Sequence, residues 1–297
     1  MNSISKSSKL TQTMIHVFMI ITGIMFIIPF LLVISVSFSN ERDIVTTGYS
    51  ILPKHFSLDA YQYVFKAPGV ILNAYKVTAI STAVGTALSV ILMALIAYPL
   101  SKSDLKGRKA ISFYIFFTMI FSGGLTPTYI LITQYLHLDD TIWVFILPSL
   151  INAWHIFLLR TFFAGIPSAI VESALLDGAG EYKIFFSIIL PLSKPALATV
   201  ALLGAMTRWN DWFTAMLYIN DEKLLTLQYL LQRILSNIQL IQQQSGNMQL
   251  FNISAADIPA ETVRMAMAVI AAGPMLFVFP FFQKYFVKGL TVGSVKG

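Results

Sequence analysis

The stretch Glu172-Ser-Ala-Leu-Leu-Asp177-Gly178-Ala-Gly-Glu-Tyr-Lys-Ile-Phe185-Phe-Ser-Ile-Ile-Leu190-Pro191 is polar and helix-forming, yet it lies between segments apolar enough to cross a bilayer. Pro167 opens a short helix, where its fixed φ and missing N–H do no harm, and residues 169–176 continue it. Asp177-Gly178 breaks that helix, with the glycine taking up the sharp turn. Residues 181–189 then form a second short helix that Pro191 ends. The expected product is a compact knob of two helices. Ala174, Leu175, Phe185 and Ile188 offer it apolar contacts, while Glu172, Asp177, Glu181 and Lys183 offer charges for ion pairs with a partner. Such a knob suits docking better than catalysis, although an ordinary helical hairpin in a loop between spans has the same pattern.

Outward from the knob the chain is too apolar for a soluble protein. Of its 297 residues 56% are hydrophobic and 11% charged, and the mean hydropathy is +0.73, which places it in a membrane. The net charge of +6 comes from basic residues scattered between apolar runs, which argues against a nucleic-acid patch and for orientation signals. The absence of cysteine excludes a disulfide framework and thiolate chemistry.

Six spans are expected: 17–36, 77–100, 111–131, 142–159, 196–218 and 265–282. The first is longer than the ~7–15-residue apolar region of a secretory signal and is read as a retained span. Gly123, Gly124 and Pro127 interrupt the third, as neighbours or water permit in a membrane helix. Residues 39–75 form an outer loop. Ser101–Lys109 holds Lys102, Lys106, Arg108 and Lys109, whereas Thr133–Asp140 holds no Lys or Arg, so the first loop faces the cytoplasm, the second lies outside, and both termini are cytoplasmic. Between residues 220 and 261, Leu227, Leu230, Leu231, Ile234, Leu235, Ile238 and Ile241 recur at helical spacing, as in a helix lying on the bilayer or bundle, or one docking a partner.

No G-x-x-x-x-G-K-[ST] occurs, and His16, His55, His137 and His155 match no H-E-x-x-H spacing, so neither an ATP site nor a metal site is expected in this chain. A ligand path is the remaining candidate: Asn152, Trp154 and His155 in the fourth span, with Arg208, Trp209, Asn210, Asp211 and Trp212 in the fifth. Aromatic faces beside amides and charges suit a polyhydroxylated ligand. The alternative is that Arg208 pairs with Asp211 to fix helix packing, while Trp209 and Trp212 anchor at the interface.

The ordered pattern E-S-A-x-x-D-G-A-x-x-x-x-x-F-x-x-I-x-L-P-L-x-x-P resembles the EAA loop of type I ABC importer permeases, with Ser173 at the second alanine. Ala97-Tyr-Pro-Leu-Ser101, Gly123-Gly-Leu-Thr-Pro-Thr128, Leu159-Arg-Thr-Phe-Phe163, Trp209-Asn-Asp-Trp212 and the tail Gly289-Leu-Thr-Val-Gly-Ser-Val-Lys-Gly297 make it similar to the maltose-permease-like second membrane subunit, among the complex-oligosaccharide permeases of Gram-positive bacteria. The resemblance covers nearly the whole chain. It implies an all-α integral membrane fold of six transmembrane helices with a cytoplasmic coupling helix, in the cell membrane of a bacterium. It further implies that Glu172, Ala174, Asp177, Gly178, Phe185, Leu190 and Pro191 couple the chain to an ATPase. The implied partners are a second homologous permease, two ABC ATPase subunits carrying ATP and Mg, an extracytoplasmic solute-binding protein and an oligosaccharide. The binding protein would be contacted by Gln243, Gln244, Ser245, Gly246 and Asn247, and the tail would reach between the ATPases. The expected division is residues 1–75 for the first helix and outer loop, 76–287 for the permease core with its coupling loop at 167–191, and 288–297 for the tail. Other readings are a type I importer for peptides or other small solutes, an ion-coupled carrier built around intramembrane carboxylates, and a membrane enzyme, for which no catalytic constellation is present.

Overall fold

The computed structural model describes residues 9–66, 68–244 and 259–292, with side chains over 11–66, 68–240 and 259–282. Among the described residues the regular structure is helical, apart from one isolated bridge between Ser39 and Phe56. Two compact units divide the chain, residues 1–68 with 233–273 and residues 69–232 with 274–297.

In the first unit, α1 (Lys9–Ser37) is one continuous helix. Its apolar side chains stand outward, with Met25 73% exposed, a surface that needs lipid or protein to cover it. The outer loop is more ordered than its composition suggested, since it contains α2 (Glu41–Thr47) and α3 (Asp59–Val64). Phe38 stacks on both Phe56 and Tyr61, at 5.5 and 4.9 Å between ring centroids. The buried Glu41 carboxylate accepts the backbone N–H groups of Glu261 and Thr262 at 2.9 Å each and the Thr262 hydroxyl at 2.6 Å. It thereby caps the start of α14 (Ala260–Val292), where helix N–H groups have no partner of their own.

In the second unit, α4 (Pro68–Ser101) is a second continuous helix. With 11–37 and 260–282 it makes three helices long and apolar enough to span a bilayer. The remaining expected spans are broken. The third is α5 (Arg108–Ile120) followed at 109° by α6 (Leu125–Ile130) and a π turn at Leu131–Tyr135. Gly124 supplies the turn with φ +87°, and Pro127 falls in the first turn of α6, where its missing N–H does no harm. The fourth is not helical from residue 142 to 159: a 3₁₀ turn at Ile142–Phe145 gives way to irregular chain, and α7 (Ala153–Ala164) begins only at the Asn152 cap. The fifth is α11 (Lys194–Trp209), a break at Asn210–Trp212, and α12 (Phe213–Tyr218). By length and composition the described residues provide up to six spans if three bent pairs each count as one: Arg108–Ile120 with Leu125–Tyr135, Ala153–Ala164 with Ser168–Leu176, and Glu181–Leu192 with Lys194–Trp209.

The knob forms as α8 (Ser168–Leu176), a turn at Asp177-Gly178, and α9 (Glu181–Ile184). Pro191 does not end the second helix. A π turn at Phe185–Ile189 carries it into α10 (Leu190–Leu192), and a bend of 78° comes at Ser193, whose N–H bonds the Ile189 and Leu190 carbonyls. Proline removes an N–H from the ladder, and a π bulge rearranges the carbonyls it leaves behind. The amphipathic stretch becomes α13 (Leu227–Gln244). Leu227, Leu230 and Leu231 of its stripe are buried, and the Leu227 N–H donates to Thr78 Oγ1 at 2.8 Å, so this part of the stripe packs within the chain.

Candidate functional site

The knob stands on a buried stem. Met93, Ala97, Tyr98 and Leu100 of α4 pack with Ile156, Leu159 and Phe163 of α7, with Ile184, Phe185 and Ile189 below the knob, and with Ala196 and Val200 of α11. Phe185 is 2% exposed and lies 5.2 Å from the Tyr98 ring. Burial of this kind fixes the second knob helix to α4 and α11 as one body, because close-packed interiors transmit displacement.

A polar joint closes the same contact at its rim. Tyr98 Oη donates to Glu181 Oε2 at 2.8 Å, and Lys102 Nζ donates to Glu181 Oε1. The hydrogen bond from Lys102 is the main cause that holds the Glu181 carboxyl below the usual carboxylate range. Lys102 also lies over the Tyr98 ring, 5.0 Å from its centroid. Glu181, expected to be available to a partner, is thus engaged within the chain.

The opposite face of the knob is open. Leu176 is 89% and Tyr182 79% exposed. Glu172, Asp177 and Lys183 are exposed as well, and among the described residues their side chains make no hydrogen bond or ion pair. Gly178 holds the tip at φ +76°, with its N–H on the Leu175 carbonyl at 3.0 Å and that of Ala179 on Ala174 at 2.9 Å. Ala174 is partly buried against the stem, as is Leu190, while Pro191 is exposed.

The polar residues of the fourth and fifth spans come together differently from either sequence reading. Asn152 Oδ1 accepts the His155 N–H at 3.1 Å and so caps α7. Trp154 is exposed and meets His155 edge-on, at 5.4 Å between centroids. Arg208 forms no ion pair with Asp211. Its guanidinium donates to the Ser149 carbonyl at 2.6 Å and the Gly204 carbonyl at 3.3 Å, tying the break in one span to the break in the other. A Cβ on Gly85 would sit 2.8 Å from Arg208 Nε, and one on Gly204 3.1 Å from its Nη1. Asp211 Oδ1 accepts the Thr214 N–H at 3.0 Å at the start of α12, and Asn210 donates to the Met206 carbonyl at 2.9 Å. Trp209 is buried 6.3 Å from Tyr75, where the two rings border a cavity of about 720 Å³ that Asn73 and Lys76 also line. Trp212 is exposed beside Phe213.

Ser245, Gly246 and Asn247 lie outside the described residues, as do the side chains of Gln243 and Gln244 and the end of the tail. The sequence reading missed Tyr98, Lys102, Gly85 and Gly204 as contributors. Gly85 and Gly204 did carry a signal, since glycine inside a helix is unfavourable by ~1 kcal/mol against alanine and often marks a close approach.

No family model matches the chain. It is similar to the polygalacturonan/rhamnogalacturonan transport system permease protein YtcP of Bacillus subtilis (strain 168), 41% identical over 290 residues that cover 98% of this chain and 99% of that one. It is 30% identical over 293 residues, 94% of each chain, to the trehalose/maltose transport system permease protein MalG of Thermococcus litoralis. Among solved structures, a chain of a bacterial ABC transporter involved in the import of the acidic polysaccharide alginate matches with a TM-score of 0.77 at 31% identity, covering 96% of this chain and 100% of that one.

Proposed function

The chain belongs to the family of permease subunits of ABC sugar-import systems, and from that premise we propose that its knob seats a separate ATPase subunit whose movement drives oligosaccharide across the membrane. The observation that carries this reading is the open face of the knob on a buried stem: Leu176, Tyr182, Glu172 and Asp177 stand free, while Phe185 and Glu181 bind the same structure to α4. Glu172, Ala174, Asp177 and Gly178 form and hold the contact. Phe185, Leu190 and Pro191 act one step inward, passing its displacement to α4 and α11.

Two ATPase subunits, carrying ATP and Mg, supply the hydrolysis. A second permease of the same family completes the pathway, and an extracytoplasmic binding protein delivers the ligand. Knob and both termini lie in the cytoplasm. Closure of the ATPases turns the cavity outward to accept sugar, and hydrolysis resets it inward. Oligosaccharides from pectic polymers are the first ligands to test, because the 41% identical relative is named for polygalacturonan and rhamnogalacturonan. An ion-coupled carrier needs carboxylates free to bind the ion, whereas Asp211 accepts the backbone N–H of Thr214.

The test is ATP hydrolysis by this chain purified with its co-expressed permease and ATPase partners in lipid, with and without binding protein loaded with each sugar. Stimulation by a loaded pectic oligosaccharide supports the reading and identifies the ligand. Hydrolysis that never responds to any loaded binding protein overturns it.

A further inference from the structure

At the knob's end of the second unit, where α4 ends and α5 begins, a cavity of about 620 Å³ is lined by Arg108, Lys109 and Arg160 together with Ser103 and Ser112. Arg108 Nε donates to the Leu100 carbonyl at 2.9 Å, and Arg160 Nη1 donates to Ser112 Oγ at 3.2 Å. Both partners are uncharged. The two arginines line the same cavity, and among the described residues no carboxylate pairs with either. Two cations also occupy the first turn of α5, where the helix dipole disfavours them, and that turn contains no acidic residue. Like charges gathered around a hollow are unfavourable until an anion lies between them.

The surroundings select the kind of anion. Beyond Arg108 and Lys109, α5 exposes Ile111, Phe113, Tyr114 and Phe117, a surface for acyl chains, and Phe157 carries the Arg160 guanidinium on its ring face at 5.9 Å. The cavity therefore sits where a long apolar helix meets a polar loop, the level of a phospholipid headgroup. Orientation of the chain alone would require only basic residues in the loop. It would not require Arg160, from α7, to be turned toward the same hollow.

We propose that this cavity binds the phosphate of an anionic phospholipid, with Arg108 and Arg160 as its principal ligands and Lys109, Ser103 and Ser112 at its rim. The site requires only that the chain span the membrane, and it stands whether or not the knob proves to be the ATPase contact. Lipid held there would bridge the start of α5 to α7, next to the stem of the knob.

The test is the lipid-dependent thermal stability of the purified transporter complex in detergent, titrated with phosphatidylglycerol, with phosphatidylcholine or with inorganic phosphate. Each basic contact at a membrane surface contributes roughly fivefold in affinity, so two arginines should favour phosphatidylglycerol over phosphatidylcholine by about 25-fold. Arg108→Gln with Arg160→Gln should abolish the preference. Arg160→Lys should retain most of it, and Lys109→Gln should weaken it by only a few-fold; these two variants carry the test if the double variant does not fold. Equal responses to the two lipids, or a preference unchanged in the variants, would overturn the proposal. Saturation by inorganic phosphate alone would reassign the cavity to a soluble anion and overturn the lipid. An unchanged lipid preference combined with loss of co-purifying ATPase subunit from the double variant would assign the cavity to acidic groups of a protein partner, which equally overturns the lipid.

Discussion

The knob and the interrupted spans carry similar sets of polar side chains and use them in opposite ways. In the spans, Asn152, Asn210, Asp211 and Arg208 each turn onto a backbone group freed by a break. Inside a bilayer those groups have no water to turn to, so the chain must satisfy them itself. In the knob, Glu172, Asp177 and Lys183 are left exposed and Leu176 stands almost bare. The difference separates two meanings of a polar residue in a membrane protein. One that is absorbed by its own backbone reports a break in a helix, and one that is left over reports a partner.

The comparison can be broken most severely at Gly178. Proline there removes the N–H bonded to Leu175 and forces φ from +76° to about −65°. Uptake of sugar by cells should fall to background while the binding protein still captures its ligand; normal uptake would mean that the shape of the tip does not matter. Phe185→Ala addresses the stem. Truncating a fully buried aromatic should lower the stability of the complex by about 3–5 kcal/mol in a denaturant titration, and a change under ~1 kcal/mol would show that the stem does not hold the knob.

Smaller effects sharpen the contrast. Asn152→Ala removes a helix cap and should lower stability by about 0.5–2 kcal/mol, leaving unchanged which sugar stimulates hydrolysis. A shift in sugar preference would mean that this side chain reads the ligand after all. The smallest effect is expected at the joint. Glu181→Gln weakens a partly exposed pair contributing about 0.2–1 kcal/mol. Because the folded Glu181 carboxyl titrates lower than an unfolded one, its contribution is fully present above pH ~4.3 and is lost as pH falls through the folded value. Thermal midpoints of wild type and Glu181→Gln should therefore differ by a constant amount between about pH 6 and 8 and converge as pH falls through the folded value. A difference that varies within the upper range would show that the pair is not the group responsible.

How much was legible in the sequence differs between the same two regions. The knob was readable because its signals are local: Pro167, the Asp177-Gly178 turn and the helical run after it each act on neighbouring residues. The stop at Pro191 was misplaced because a π turn at Phe185–Ile189 carries the helix on into residues 190–192, and nothing in a run of apolar residues announces such a turn. The spans were readable as hydropathy but not as helices. Residues 142–159 are apolar enough for a span, yet after a 3₁₀ turn the chain up to residue 152 follows an irregular path stabilised in part by the Arg208 bond to Ser149, 59 positions away. The Arg208–Asp211 pair suggested by spacing fails for the same reason, since both side chains have backbone partners. Tyr98 and Lys102 were passed over because their acceptor, Glu181, lies 83 and 79 positions further on.

An ATPase subunit seated on the open face of the knob would lie against Leu176. The chain contains no cysteine, so Leu176→Cys places the chain's one thiol at the knob's most exposed large apolar side chain, and a short bifunctional thiol crosslinker applied to the assembled transporter asks directly what lies against it. Docking of an ATPase subunit on the knob should give a crosslink to that subunit whose yield changes with ATP, and none from a matched cysteine at Asn152. An assembled, active transporter in which the Leu176 thiol crosslinks to no ATPase subunit, with or without ATP, would contradict it.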